Sequence, residues 1–219
     1  MSSINHFSTF TYSQPHEYRL SHDSVFFARR VYEIICNESI EVSKSLDLCS
    51  GSGVVGLDLL FHMSEGKQNS MPDEFEFLEI QNEYEPHFNT NVKTLNSIKS
   101  LDTKIVFSNT SYSDQSYLDK NRNAFDLIVC NPPYFRLGMG KMSSSEFKNR
   151  CRYFIDSSFK SLIESVEILL KDGGVCFLIT RPLEHHNIDV IRDIKKHCNL
   201  DIQILNPVRK SLFIKLSKI

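Results

Sequence analysis

Short apolar runs, each bounded by glycine, proline or an acid, recur along the 219-residue chain. They predict buried strands at Ser45–Cys49, Phe75–Glu79, Lys104–Phe107, Phe125–Cys130 and Val175–Ile179. The stretches between them carry helical spacing. Val25, Phe26, Ala28, Val31, Tyr32, Ile34 and Ile35 predict a helix entered through Ser21-His22-Asp23-Ser24, with Asp23 and Ser24 as candidate caps. That helix start is also placed to cover a pocket. An apolar helix runs from the glycines at 51–56 to about Met63, and another begins near Asn82. A long amphipathic helix over Phe154–Leu170 is stopped by Lys171-Asp172-Gly173-Gly174, and a further helix covers Glu184–His197. Asp114–Asn123 reads as a polar helix or loop. Strands Asp201–Leu205 and Leu212–Leu216 close the chain, joined by Asn206–Lys210. Residues 1–20 are expected to lie extended over the surface. Ser64–Asp73 reads as a solvated loop and Arg136–Lys141 as a flexible one.

Charge narrows the picture. Lysine plus arginine number 25 and aspartate plus glutamate 27, which excludes a protein held on nucleic acid by bulk charge alone but leaves room for a local basic face. Met1–Leu20 has no apolar core of signal-peptide length, and no apolar run approaches a membrane span, so a cytoplasmic protein without a membrane partner is expected. Cys36, Cys49, Cys130, Cys151, Cys176 and Cys198 form no CxxC pair and read as buried free thiols. His185-His186 and the other histidines have no metal-ligand spacing, so no metal is expected. The chain reads as one domain over 1–219, with residues 1–40 as an N-terminal extension and helix covering a cofactor site.

The candidate chemistry lies in Phe125–Phe135. An apolar strand ends in Asn131-Pro132-Pro133-Tyr134, where two prolines stiffen the turn. Asn131 offers a side-chain carbonyl and Pro132 a backbone carbonyl. Two converging acceptors can hold both hydrogens of a planar NH2 group and favour its nitrogen as it becomes nucleophilic. Tyr134 adds a flat face for stacking. A tight turn with Asn131 bonding only local backbone is the plainer alternative.

Upstream, Asp47 and Gly51-Ser52-Gly53 form a strand, glycine turn and helix start. Glycine permits positive φ and close approach of a ligand to the backbone. No Gly-Lys-Ser/Thr follows, which excludes a phosphate-binding P-loop; an Asp ahead of the glycines suits S-adenosylmethionine better than a dinucleotide. Glu79 ends the second strand, where an acid can accept from ribose hydroxyls or favour a helix N-terminus. Asn109, ending the third, can bond a cofactor's adenine or serve as a turn residue. Arg136, Lys141, Lys148, Arg150 and Arg152 form a basic cluster broken only by Glu146, either a solvated face or a set of phosphate contacts. Arg209, Lys210, Lys215 and Lys218 form a smaller one.

With these residues the chain resembles class I S-adenosylmethionine-dependent methyltransferases: Asp47–Gly56 matches their first motif, Glu79 their second-strand acid and Asn131–Tyr134 their fourth motif. More narrowly it is similar to the bacterial tRNA (adenine-N6) methyltransferase family, through Tyr18–Ala28, Leu78-Glu79-Ile80-Gln81, Asn131–Phe135 and Arg209–Leu216. The resemblance implies a Rossmann-like α/β fold, with helices on both faces of a seven-stranded, mostly parallel sheet of order 3-2-1-4-5-7-6 whose last strand is antiparallel. It places the cofactor S-adenosyl-L-methionine on Asp47, Gly51, Gly53, Glu79, Asn109 and Asn131. Asn131, Pro132 and Tyr134 become the catalytic set, and Arg136, Lys141, Arg150 and Arg152 candidates for substrate binding. The expected reaction is methylation of an exocyclic adenine amine in RNA, with tRNA as the partner. Protein glutamine N5-methylation, guanine-N2 methylation of rRNA, and a cofactor-binding scaffold for a partner methyltransferase are the alternatives. Only about 40 residues precede the first motif, too few for the N-terminal helical domain usual in glutamine enzymes. The chain departs from the family at Asn109, where an acid is usual, and at Cys49-Ser50, where small residues including glycine are commoner.

Overall fold

The computed structural model describes residues 9–66, 71–183 and 188–219. The elements in order are α1 (His22–Glu38), β1 (Lys44–Leu48), α2 (Val54–Glu65), β2 (Glu74–Glu79), a 3-10 turn (Asn82–Tyr84), α3 (Glu85–Ile98), β3 (Lys104–Asn109), α4 (Gln115–Lys120), β4 (Phe125–Cys130), α5 (Glu146–Arg150), α6 (Phe159–Leu169), β5 (Leu170–Thr180), α7 (Val190–Lys195), β6 (Asp201–Val208) and β7 (Ser211–Ser217). The strands form one sheet of order β3-β2-β1-β4-β5-β7-β6. β1 to β5 run parallel, and β7 is antiparallel to both its neighbours. The expected seven-stranded order is therefore the observed one.

Successive side chains of a strand face opposite ways, and both faces here are apolar. Leu127, Val129, Phe177 and Ile179 pack under α1, α2 and α3. Ile128, Cys130, Cys176 and Leu178 pack under α4, α6 and α7. Parallel β1 and β4 adjoin although their crossovers lead to opposite sides of the sheet, and a crevice opens at their C-terminal ends.

Several expectations are corrected, each by a contact distant in sequence. Residues 154–158 are not helical, because Phe154 donates its N–H to the Phe135 carbonyl, and α6 starts only where Ser158 caps the N–H of Ser161. The predicted stop at 171–174 is part of β5: the Gly173 N–H bonds the Lys218 carbonyl, and Lys218 returns a bond to Gly174. β6 runs on through Pro207 by a register shift between Leu205 and Val208, tolerable on an edge strand. α7 is shorter than predicted, starting at the Asp189 cap; residues 184–187, with His185 and His186, lie outside the described residues. Phe10 and Tyr12 are buried in the core and not spread on the surface, and Tyr12 donates to the buried Asp58 at 2.7 Å. Of the free thiols only Cys130 and Cys176 are fully buried. The turn at 136–141 is shaped by Met139 N–H to the Arg136 carbonyl and by the Tyr153 hydroxyl on the Lys141 carbonyl.

Candidate active site

The crevice is a cleft of about 350 Å³, walled by the glycine turn, the ends of β2 and β4, and segment 150–157. Its floor starts at β1. Asp47 is fully buried, and its Oδ2 accepts the Gly56 N–H at 2.9 Å, pinning the first turn of α2. Asp47 lies behind the glycine turn and not in the cleft wall. Cys49 follows with φ 64°, a left-handed conformation that glycine takes freely and an L side chain takes at a cost of roughly 1–2 kcal/mol.

The glycines divide their work. Gly51 (φ +53) lines the cleft, and a Cβ there would meet only the Tyr84 ring at 3.5 Å. Gly53 (φ +80) is closed in by protein, since a Cβ would lie 2.7 Å from Phe88. That ring is itself wedged against Phe77 and Phe107, each 4.8 Å away by centroid. Gly53→Ala should therefore cost about 2–5 kcal/mol, the left-handed strain plus overpacking. Gly51→Ala should cost only about 1–2 kcal/mol. Thermal melts of the two variants check the difference.

Glu79 faces the glycine turn. Its carboxylate accepts the N–H of Gly51 at 2.8 Å and of Gln81 at 2.9 Å. Burial pushes its pKa up to about 7 against the pull of those N–H groups, and burial likewise lifts Asp47 to about 7. A carboxyl whose folded pKa is raised binds its proton more tightly folded than unfolded. Its contribution is complete at low pH and is lost as pH rises from the unfolded value to the folded one. The melting temperature should therefore fall between about pH 4.5 and pH 7, and Glu79→Gln should flatten part of that slope. A pH series of melts reads both.

Asn109 is placed beside the cleft and not in its wall. Its amide donates to the carbonyls of Glu79 at 2.8 Å and Ile80 at 3.1 Å, tying β3 to the end of β2. The next residues, Thr110 to Tyr112, reach the cleft instead.

At the end of β4, Asn131 donates from Nδ2 to Ser24 Oγ at 2.9 Å and accepts the Tyr134 hydroxyl on Oδ1 at 2.6 Å. In this arrangement Nδ2 faces Ser24 and Oδ1 faces Tyr134, and either hydroxyl can donate or accept. A carbonyl oxygen has two lone pairs, so one remains for a ligand. Asn131, Pro132 and Tyr134 all line the cleft. Burial raises the Tyr134 phenol above its usual range, with Asp23 adding to the rise, so it stays a neutral donor.

The basic cluster is split. Arg150 and Arg152 line the cleft; Arg150 pairs with Asp156 at 3.0 Å, and Arg152 lies over the Phe135 and Tyr153 rings. Arg136 turns away to pair with Asp193, and Lys141 is exposed on the outer turn. In the smaller basic region, Arg209 pairs with Asp23 and Lys215 with Glu38. Among the described residues, no group of His, Cys, Asp or Glu could hold a metal ion, and no helix is long and apolar enough to cross a membrane.

The family model described as Eco57I restriction-modification methylase matches residues 29–200. The chain belongs to that methylase family. Two curated relatives are both described as tRNA1(Val) (adenine(37)-N6)-methyltransferase. The one from Shewanella woodyi is 32% identical over 75 residues, 34% of this chain and 30% of the relative. The one from Flavobacterium psychrophilum is 28% identical over 82 residues, 33% of this chain and 34% of the relative. The matches thus span about a third of the curated relatives' length. Among solved structures, the 16S rRNA N2 G1207 methyltransferase of T. thermophilus, in complex with AdoMet and guanosine, aligns at TM-score 0.60 and 16% identity. That alignment covers 92% of this chain and 44% of the other; the likeness is one of fold.

Other residues in and beside the methylase's cleft take parts that their sequence context does not show. Ser24 was a candidate cap, yet neither it nor Asp23 caps α1: Ser24 bonds Asn131, while Asp23 meets Arg181, Arg209 and Ser211. Gln81 and Tyr84 wall the Glu79 side and contact Cys151 across the cleft at 3.5 and 3.1 Å. Arg181 could have been found from its place directly after a buried strand, on the same sheet edge as Asn131.

Proposed function

We propose that this methylase transfers a methyl group from S-adenosylmethionine to the exocyclic N6 amine of adenine in RNA, with tRNA as the substrate class. The observation that carries the reading is the amide of Asn131, held between Ser24 on Nδ2 and Tyr134 on Oδ1 in the wall of the cleft that Gly51 and Glu79 also line. The cofactor fits the residues present. Glu79 is an acceptor facing the turn, and the buried Ser50 Oγ and Gln81 Oε1 in the cleft wall have no protein partner among the described residues. Gly51, Glu79 and Gln81 would hold the nucleoside part, and Asp47 would act through the turn that it pins. When bound, the cofactor supplies an electrophilic methyl on positively charged sulfur.

The remaining work is positioning. Asn131 Oδ1 and the Pro132 carbonyl accept the two amine hydrogens and keep the nitrogen lone pair directed into the cleft. Tyr134 stacks the base, unpaired or flipped out of a stem. The amine sheds its extra proton to water after transfer, so no strong general base is needed. On this reading Arg150 and Arg152, which line the cleft, meet RNA phosphates, with Arg150 also paired to Asp156; Arg136 is paired to Asp193, and Lys141 offers an outer contact. The curated relatives favour tRNA over the alternatives.

The test incubates purified protein and methyl-labelled cofactor with separate pools of tRNA, rRNA, DNA and protein. Label in tRNA supports the reading. Label only in rRNA, DNA or protein replaces the substrate, and cofactor binding without transfer to any pool favours the scaffold alternative.

A further inference from the structure

Arg181 leaves the end of β5 and lies over the Tyr134 ring, its guanidinium carbon 5.5 Å from the ring centroid. Its Nη2 is 3.1 Å from Asp23 Oδ2, and the side chain is 34% exposed. The buried Asp23 does not depend on it, because Asp23 also accepts Ser211 Oγ at 2.9 Å and faces Arg209 Nε at 3.4 Å. Arg181 is thus a half-exposed cation on an aromatic face, tied to a carboxylate that has other partners.

A flat guanidinium stacks on an arene as a base does, and the same side of one ring cannot hold both. A purine entering on that side must displace Arg181. The displaced cation is long enough to follow the ring's edge, and the anion arriving with the base is its own phosphate.

We propose that Arg181 is a placeholder for the target base: it covers the Tyr134 face in the free protein and moves to a phosphate of the target nucleotide when the base enters. This inference rests on the RNA-methylation reading and makes Arg181 a specificity residue. A nucleotide within RNA brings the phosphate that rewards displacement, whereas a free nucleoside does not.

The experiment measures methyl transfer to tRNA and to free adenosine by wild type, Arg181→Ala, Arg181→Lys and, as a control, Arg122→Ala, whose exposed partner is Asp119. Arg181→Ala should raise KM for tRNA about tenfold and reduce its salt dependence by about one phosphate contact. The same variant should use free adenosine several-fold faster, because the ring is uncovered. A purely structural role would lower both activities together, and that result, or no change in either, overturns the proposal. If Arg181→Ala shows no cooperative melt, Arg181→Lys decides: the salt dependence should be kept and the adenosine rate should rise, and an unchanged or lower adenosine rate overturns the inference. A wild type that labels no RNA overturns the functional reading and this inference with it. A wild type that labels RNA beside variants moving both substrates alike overturns only the placeholder.

Discussion

Asn131→Ala lowers turnover about a hundredfold or more, as removal of one preorganised acceptor does when charge changes at the atom it holds. The effect should appear in kcat, since the acceptor is stronger toward an amine that is losing conjugation than toward the resting base. Folding should survive. Asn131 sits in the cleft wall at the end of β4, and its two partners, Ser24 and the Tyr134 hydroxyl, face the same cleft and can turn to water. Single-turnover rates with saturating cofactor, set beside a thermal melt, separate loss of chemistry from loss of structure. Full activity in this variant would remove Asn131 from the reaction.

Glu79→Ala should act on the other half of the site. It removes a carboxylate held by the N–H groups of Gly51 and Gln81, which on the proposed reading receives the cofactor's hydroxyls. Above pH 7, where Glu79 is ionised, a hydrogen bond to the charged group contributes about 1.5–3 kcal/mol, so cofactor affinity there should fall about tenfold to a hundredfold. Turnover at saturating cofactor should change far less, because Glu79 does not touch the amine. Titration calorimetry with S-adenosylmethionine and with its demethylated product gives the affinity directly. An unchanged dissociation constant would exclude Glu79 from the cofactor wall.

The strands were readable because each central one is buried on both faces and needs a continuous apolar run, as in Phe125–Cys130 and Val175–Ile179. The glycine turn and the Asn-Pro-Pro-Tyr turn were readable because their backbone demands are local. What escaped depends on contacts that no window of sequence contains. Asp23 and Ser24 have the composition of caps, but Ser24 bonds a residue 107 positions away and Asp23 one 188 positions away. Residues 154–158 continue a helical pattern, but the Phe135 carbonyl claims the Phe154 N–H first. Asn109 could be read as an adenine contact or a turn residue, and only the fold shows that its amide caps the carbonyls ending β2. The basic cluster is contiguous in sequence, yet α5 and the return of the chain to Phe135 send Arg136 and Arg150 in different directions. Arg181 is a single cation with no periodicity around it, and only the shared sheet edge gives it meaning.

On the proposed reading the Asn131–Tyr134 edge presents an exocyclic adenine amine for methylation. The most direct measurement digests tRNA methylated with labelled S-adenosylmethionine to nucleosides and identifies the labelled one by chromatography and mass spectrometry, with wild type and Asn131→Ala side by side. Wild type should yield N6-methyladenosine, and the variant almost none. A label on guanine, on a ribose oxygen or on a ring nitrogen, or an equal yield from both proteins, would contradict it.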